Sequence, residues 1–158
     1  MDLLQKVHEL LIKSKKTISV AESVTGGLLS KVLTDLSGAS NYFRCGVVAY
    51  SNETKIKRLG INKRIIDEFG VVSEQVTRGM AVNIRKKVNT DYSLSCTGYA
   101  SPSADYEEAS QEKVGLVFIG FSSSNKTIVK NFKFTGPRSE IREQTVKQAL
   151  ELLLENID

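Results

Sequence analysis

Residues 17–21 (TISVA) are a short β-branched run, residues 22–27 (ESVTGG) interrupt it, and Leu28, Leu29, Val32, Leu33 and Leu36 follow at helical spacing. A strand that turns within six residues into an amphipathic helix must lay that helix on the face of its own sheet. The same alternation continues. Leu3, Leu4, Val7, Leu10 and Leu11 share one face of an N-terminal helix over 3–13, with Asp2 as its N-cap. Tyr42–Ser51 and Tyr92–Thr97 have strand composition. Between them lie a short helix capped by Asn52 and closed by Gly60, a second over Ile61–Phe69 closed by Gly70, and a longer one from Glu74 to about Val88 capped by Ser73. Gly98–Lys113 reads as a long polar loop. Val114–Phe121 and Thr127–Phe134 form a hairpin around Ser122–Lys126, and Pro137 at a helix N1 position precedes a last helix over Ile141–Leu154. The expected fold class is α/β, a three-layer α/β/α sandwich with a mixed sheet. At 158 residues the chain is expected to be a single domain over 1–158.

Four clusters carry residue types suited to chemistry. Ser23, Thr25, Gly26 and Gly27 lie between a buried strand and a helix start, where two hydroxyls and free N–H groups form an anion or polar-ligand cradle. The same pattern also serves as a plain capped turn. It is neither a phosphate-binding loop with Gly-Lys-Ser/Thr nor a dinucleotide fingerprint. Ser40, Tyr50 and Lys55 are the second group. A serine needs a neighbouring base, and a lysine in the first turn of a helix meets a positive dipole end that disfavours its ammonium form. The only histidine, His8, sits on the N-terminal helix as an ordinary surface residue. Thr97 and Gly98 end a buried strand, and Arg138 follows Gly136-Pro137 at a helix start, with Arg142 one turn on. Arginine there suits bidentate recognition of phosphate or carboxylate. The acidic residues Asp105, Glu107, Glu108 and Glu112 fit a solvated loop.

Net charge is +4, but the basic residues are interleaved with acidic ones along several amphipathic segments, so nucleic acid is not expected as a partner. No apolar run approaches the roughly 20 residues that span a bilayer, and no secretory leader precedes the first helix, so a cytoplasmic protein is expected. Cys45 and Cys96 read as reduced thiols in strands, and no Cys or His spacing suggests a metal site.

Read in order, AESVTGGLL, LSGASNYFRCGVVAYSNETK, GVVSEQVTRGMA, TGYASP, VGLVFIG and FTGPRSEIR are far more specific than any one piece. This order, over about residues 3–155, resembles the C-terminal domain of the competence/damage-inducible (CinA) family, the nicotinamide-nucleotide amidases. The resemblance implies a stand-alone form of that domain. It implies hydrolysis of the carboxamide of nicotinamide mononucleotide to nicotinate mononucleotide and ammonia, with no metal or organic cofactor. It assigns the nucleophile to Ser40 and the base to Lys55, with support from Ser23, Tyr50, Thr97 and Arg138. A small-molecule nucleotide substrate and a homo-oligomer are the implied partners. The alternative is a binding or regulatory protein linked to competence or DNA damage.

Two departures from the family pattern stand out. Val24 replaces the cysteine of Ala-Glu-Ser-Cys-Thr-Gly-Gly. Ser101 replaces the glycine of Thr-Gly-Ile-Ala-Gly-Pro, and Ser103-Ala104-Asp105 replaces the glycines that follow. Glycines permit positive φ and close backbone approach, so their loss implies a differently shaped loop and an altered substrate fit.

Overall fold

A computed structural model describes residues 2–103 and 109–157; the expectations for Ala104, Asp105, Glu107 and Glu108 fall outside them. The chain runs α1 (Leu3–Ser14), β1 (Ile18–Glu22), α2 (Leu28–Leu33), a 3-10 turn at Ala39–Asn41, β2 (Phe43–Val48), α3 (Asn52–Leu59), α4 (Lys63–Phe69), α5 (Glu74–Val88), β3 (Tyr92–Gly98), β4 (Leu116–Ser122), β5 (Thr127–Lys133) and α6 (Arg138–Leu154). The sheet order is β2-β1-β3-β4-β5. The strands β1, β2 and β3 are parallel, whereas β4 and β5 join antiparallel. This is the expected mixed-sheet α/β/α sandwich. Among the described residues no helix is long and apolar enough to cross a membrane.

The period of two along the strands divides the core between the faces. Ile18 and Val20 of β1 join Leu94 and Cys96 of β3 and Val117, Ile119 and Phe121 of β4 under α1, α2 and α6. Ala21 packs on the opposite side with Leu59, Ile66, Val76, Met80 and Ile84 of α3, α4 and α5. The α5 face of β3 is polar yet buried. Its serines are satisfied because Ser93 Oγ donates to Ala81 O (2.6 Å) and Ser95 Oγ to Thr77 O (2.8 Å), which fastens α5 to the sheet.

Element ends shift for identifiable reasons. The helix α2 stops at Leu33, three residues before its expected end, where the Thr34 hydroxyl turns back onto the carbonyls of Ser30 and Lys31. The cap of α3 is Ser51 rather than Asn52, since Ser51 Oγ accepts from Thr54 N (3.1 Å). Asp2 makes no side-chain cap bond. The last helix begins at Arg138, not Ile141, and Pro137 stands just outside it, with Pro137 O accepting from Ile141 N (3.1 Å).

The residue that fixes the β1–α2 turn is Glu22. It belongs to β1, is fully buried, and faces the α2 layer. Its Oε1 accepts from Ser30 N (2.8 Å) and Ser30 Oγ (2.6 Å), and its Oε2 from Gly27 N (3.1 Å), Leu29 N (3.0 Å) and Thr25 Oγ1 (2.5 Å). A buried carboxylate is tolerable only when its lone pairs are filled, and a helix N-terminus supplies both donors and a favourable dipole. The turn also needs its glycines. Gly26 has φ +57°, and a Cβ there would lie 2.8 Å from Arg142 Nη2; Gly27 has φ +104°.

Glu22→Gln keeps the shape but sets an NH2 donor against N–H donors. It is expected to lower stability by about 3 kcal/mol. For a chain of this size the Tm should fall by roughly 6–12 °C, measurable by thermal denaturation.

Candidate active site

Ligand sites in open α/β sheets form beyond the carboxyl ends of strands, where successive connections leave toward opposite faces. Here the chain leaving β1 goes to α2 on one face and the chain leaving β2 goes to α3 on the other. Ser23 lies at this point. Its N–H continues the ladder to Cys96 O (3.0 Å), and Ala49 N bonds Glu22 O (2.7 Å) on the other side. Over it opens a cavity of about 500 Å³ lined by Ser23, Val24, Tyr50, Lys55, Thr97 and Arg138, together with Val71 and Val72 from the α4–α5 loop and the 98–103 segment.

Lys55 is the chemical centre of this cavity. It is 1% exposed, on the first turn of α3, and Nζ lies 3.0 Å from Ser23 Oγ, 2.8 Å from Ala49 O and 3.4 Å from Tyr50 O. All three partners are neutral. Burial therefore pulls the lysine down from its ordinary value of 10.5 to about 8. Cys96 nearby provides no counter-charge at neutral pH, because burial pushes its thiol up to about 11. With two carbonyls holding N–H bonds, the lone pair of a neutral Lys55 points at the Ser23 hydroxyl. That is the arrangement of an amine base activating a serine.

The expected pairing of Lys55 with Ser40 is corrected by this geometry. Ser40 sits in the exposed 3-10 turn, its carbonyl accepts from Arg44 Nη1 (2.6 Å), and it does not line the cavity. The serine at Lys55 is Ser23, a residue expected from sequence to hold ligand. Spacing could not separate the two, since Ser23 and Ser40 are both turn serines following apolar segments.

The anion cradle at Ser23–Gly27 is also corrected. The N–H groups of Gly27, Leu29 and Ser30 are already taken by Glu22, and Thr25 is fully buried with its hydroxyl on the same carboxylate. Thr25, Gly26 and Gly27 do not line the cavity. They are scaffold for Ser23. In sequence Glu22 is simply the first residue of the break after the 17–21 run. An acidic residue between a buried strand and a Gly-Gly helix start was the signal for its role.

The remaining candidates converge from distant parts of the chain. Thr97, 1% exposed, and Gly98 end β3 in the cavity wall. Gly98 has no room for a side chain, as a Cβ would lie 2.7 Å from Leu116 O. Tyr50 extends from the cavity floor, where its carbonyl accepts from Lys55, to the rim, where its phenol oxygen accepts from Arg138 Nη2 (2.9 Å). Arg138 Nη1 donates to Ser101 Oγ (2.8 Å). Arg142 instead works structurally, with Nε (3.2 Å) and Nη2 both on Thr25 O, so α6 holds the β1–α2 turn in place. His8 is remote from the cavity, half-buried on α1, with Nδ1 3.1 Å from Tyr42 Oη. Among the described residues no group of three or more His, Cys, Asp or Glu side chains is placed to hold a metal ion.

Comparison with known proteins agrees in fold and sequence. A putative competence-damage inducible protein of Thermoanaerobacter pseudethanolicus is 47% identical over 147 residues, covering 93% of this chain and 35% of the relative. A CinA-like protein of Endomicrobium trichonymphae is 43% identical over 144 residues, covering 91% of this chain and 33% of the relative. The chain thus spans about a third of the length of these relatives. Among solved structures, the competence damage-inducible protein A of Klebsiella pneumoniae superposes with a TM-score of 0.91 at 27% identity, covering 98% of this chain and 94% of that one. The competence/damage inducible protein of Agrobacterium tumefaciens does so at 0.87 and 29%, covering 98% and 96%. The family described as the CinA C-terminal domain matches residues 1–157, and the chain belongs to that family.

Proposed function

We propose that this domain hydrolyses a carboxamide, that of nicotinamide mononucleotide, with Ser23 as nucleophile and Lys55 as base. The observation that carries the reading is the buried, uncompensated Lys55 amine 3.0 Å from Ser23 Oγ in the cavity wall. Neutral Lys55 accepts the Ser23 proton as the hydroxyl oxygen bonds to the carboxamide carbon. The tetrahedral adduct collapses, the C–N bond breaks, and the proton passes from Lys55 to the departing amine, which leaves as ammonia. Water then attacks the ester carbon, giving its proton to Lys55, and the acid departs as Ser23 is reprotonated. One amide and one water become one acid and one ammonia.

The surroundings suit such a substrate. Thr97 stands beside the dyad as a hydroxyl donor toward the developing oxyanion. Val24, Val71, Val72 and Ala100 give an apolar wall for a pyridine ring, and Arg138 at the rim meets the phosphate. The volume of about 500 Å³ falls within the range of small-ligand sites.

Ammonia release from the mononucleotide tests the reading. Ser23→Ala is expected to reduce kcat by about 10³-fold or more, as loss of a covalent nucleophile does. Ser40→Ala should leave both kcat and KM within about two-fold of wild type, since an exposed side chain outside the cavity takes no part. Equal activity of Ser23→Ala and wild type would remove Ser23 from this role.

The pH dependence follows from the sign of the lysine shift. The base is the neutral amine, and the folded-state value is lowered to about 8, so the active fraction grows as pH rises through 8 and saturates above it. A plot of kcat/KM against pH is expected to climb tenfold per unit below about 7 and to flatten by about 9. A profile that falls across this range would show that Lys55 acts as an ammonium ion.

A further inference from the structure

The rim of the cavity holds a cation with no acidic partner among the described residues. Both Nη groups of Arg138 are engaged by neutral hydroxyl oxygens, Ser101 Oγ at 2.8 Å and Tyr50 Oη at 2.9 Å. Two acceptors on the two Nη groups fix the plane of the guanidinium without cancelling its charge. Each hydroxyl, having accepted from Arg138, keeps its own O–H proton for a third party. The arrangement is therefore one positive fork flanked by two orientable donors, and it fits a tetrahedral dianion such as a phosphate monoester.

Ser101 is held firmly enough to serve in this way. It follows Ala100, which is buried, and precedes Pro102, whose ring fixes the backbone. One residue further back, Tyr99 N bonds Leu116 O (3.0 Å) and Tyr99 O accepts from Gly115 N (2.7 Å), which locks the segment to β4. Arg138 is equally constrained, as the first residue of α6 after Gly136-Pro137. Three segments distant in the chain, at residues 50, 101 and 138, thus meet at one guanidinium. Ser101 is also a position where the chain departs from the glycine of the family pattern, and a glycine has no hydroxyl to offer.

We infer that Ser101 is a positioning residue that orients Arg138 for the phosphate of the substrate, so that this chain's preference for phosphorylated over unphosphorylated ligands depends on the Ser101 hydroxyl. The inference rests on the proposed amidase reading for its substrate but not for its binding test.

Two readouts separate it from that reading. The first is equilibrium binding of ribose 5-phosphate, a probe that carries the phosphate and no carboxamide. Ser101→Gly is expected to weaken its Kd by about 5–20-fold, the effect of losing a charge-assisted hydrogen bond, and Ser101→Thr to restore wild-type binding. The second is turnover of the mononucleotide against the corresponding nucleoside. Ser101→Gly should raise KM for the mononucleotide by a similar factor, with kcat within two-fold, and leave the nucleoside unchanged. Unaltered ribose 5-phosphate affinity in Ser101→Gly, or an equal change in KM for both substrates, would overturn the inference. Absence of turnover by wild type with either substrate would overturn the amidase reading instead, and the binding comparison would still decide the role of Ser101.

Discussion

A carboxylate buried at the end of β1 organises this molecule. Glu22 gathers three backbone N–H groups and two hydroxyls, and in doing so it stops β1, starts α2 and sets the direction of the turn between them. The strength of that hold comes from its surroundings. Glu22 is fully buried, so its carboxylate depends on these donors and the turn has little freedom to take another shape. Ser23, the next residue, is thereby presented at the mouth of the sheet. Arg142 reinforces the arrangement from α6, where its guanidinium grips Thr25 O. Ser23 thus stands at a strand end fixed by these bonds rather than on a pliable loop.

Lys55 answers Glu22 from the other side of the sheet. The two buried ionisable groups receive opposite treatment. Glu22 is surrounded by donors, while Lys55 meets two carbonyls and a hydroxyl and, among the described residues, no anion. The fold accepts the cost of burying an amine whose neutral form is then easily reached, as an amine base at neutral pH requires. The thiol of Cys96 links the two regions physically. Its sulfur lies 3.1 Å from Thr25 Oγ1, and since that hydroxyl donates to Glu22, the thiol is the donor of the pair.

A gradient of polarity runs outward from the dyad. Among the lining residues Ser23, Lys55 and Thr97 are buried polar groups, Val24 and Ala100 are buried apolar ones, and Tyr50 and Arg138 are exposed at the rim. A ligand with an amide at one end, an apolar ring and an anion at the other matches that order. Membership of the CinA C-terminal domain family and the shared fold of its solved members are consistent with a conserved scaffold. Ser101 joins Tyr50 and Arg138 at the rim.

The sequence by itself determined the layers of this fold. The β-branched run at 17–21, the strand composition of 92–97, the helical spacing of Val76, Met80, Ile84 and Val88, and the Gly60 and Gly70 stops depend on neighbours within one or two turns, so they are legible along the chain. It also picked out Lys55, Tyr50, Thr97 and Arg138, because a lysine, a tyrosine, a threonine and an arginine at strand ends and helix starts are notable locally. Tertiary structure alone decided which serine faces the lysine. Ser23 and Ser40 look equivalent in sequence, but parallel pairing of β1 with β2 brings the end of one strand beside the helix that follows the other, 32 residues away, and leaves Ser40 at the far end of the sheet's connection. The same holds for Glu22, whose five partners are close in sequence yet become partners only once burial removes water as a competitor. Contacts made across the sheet have no period to read, and the chemistry of this site consists of them.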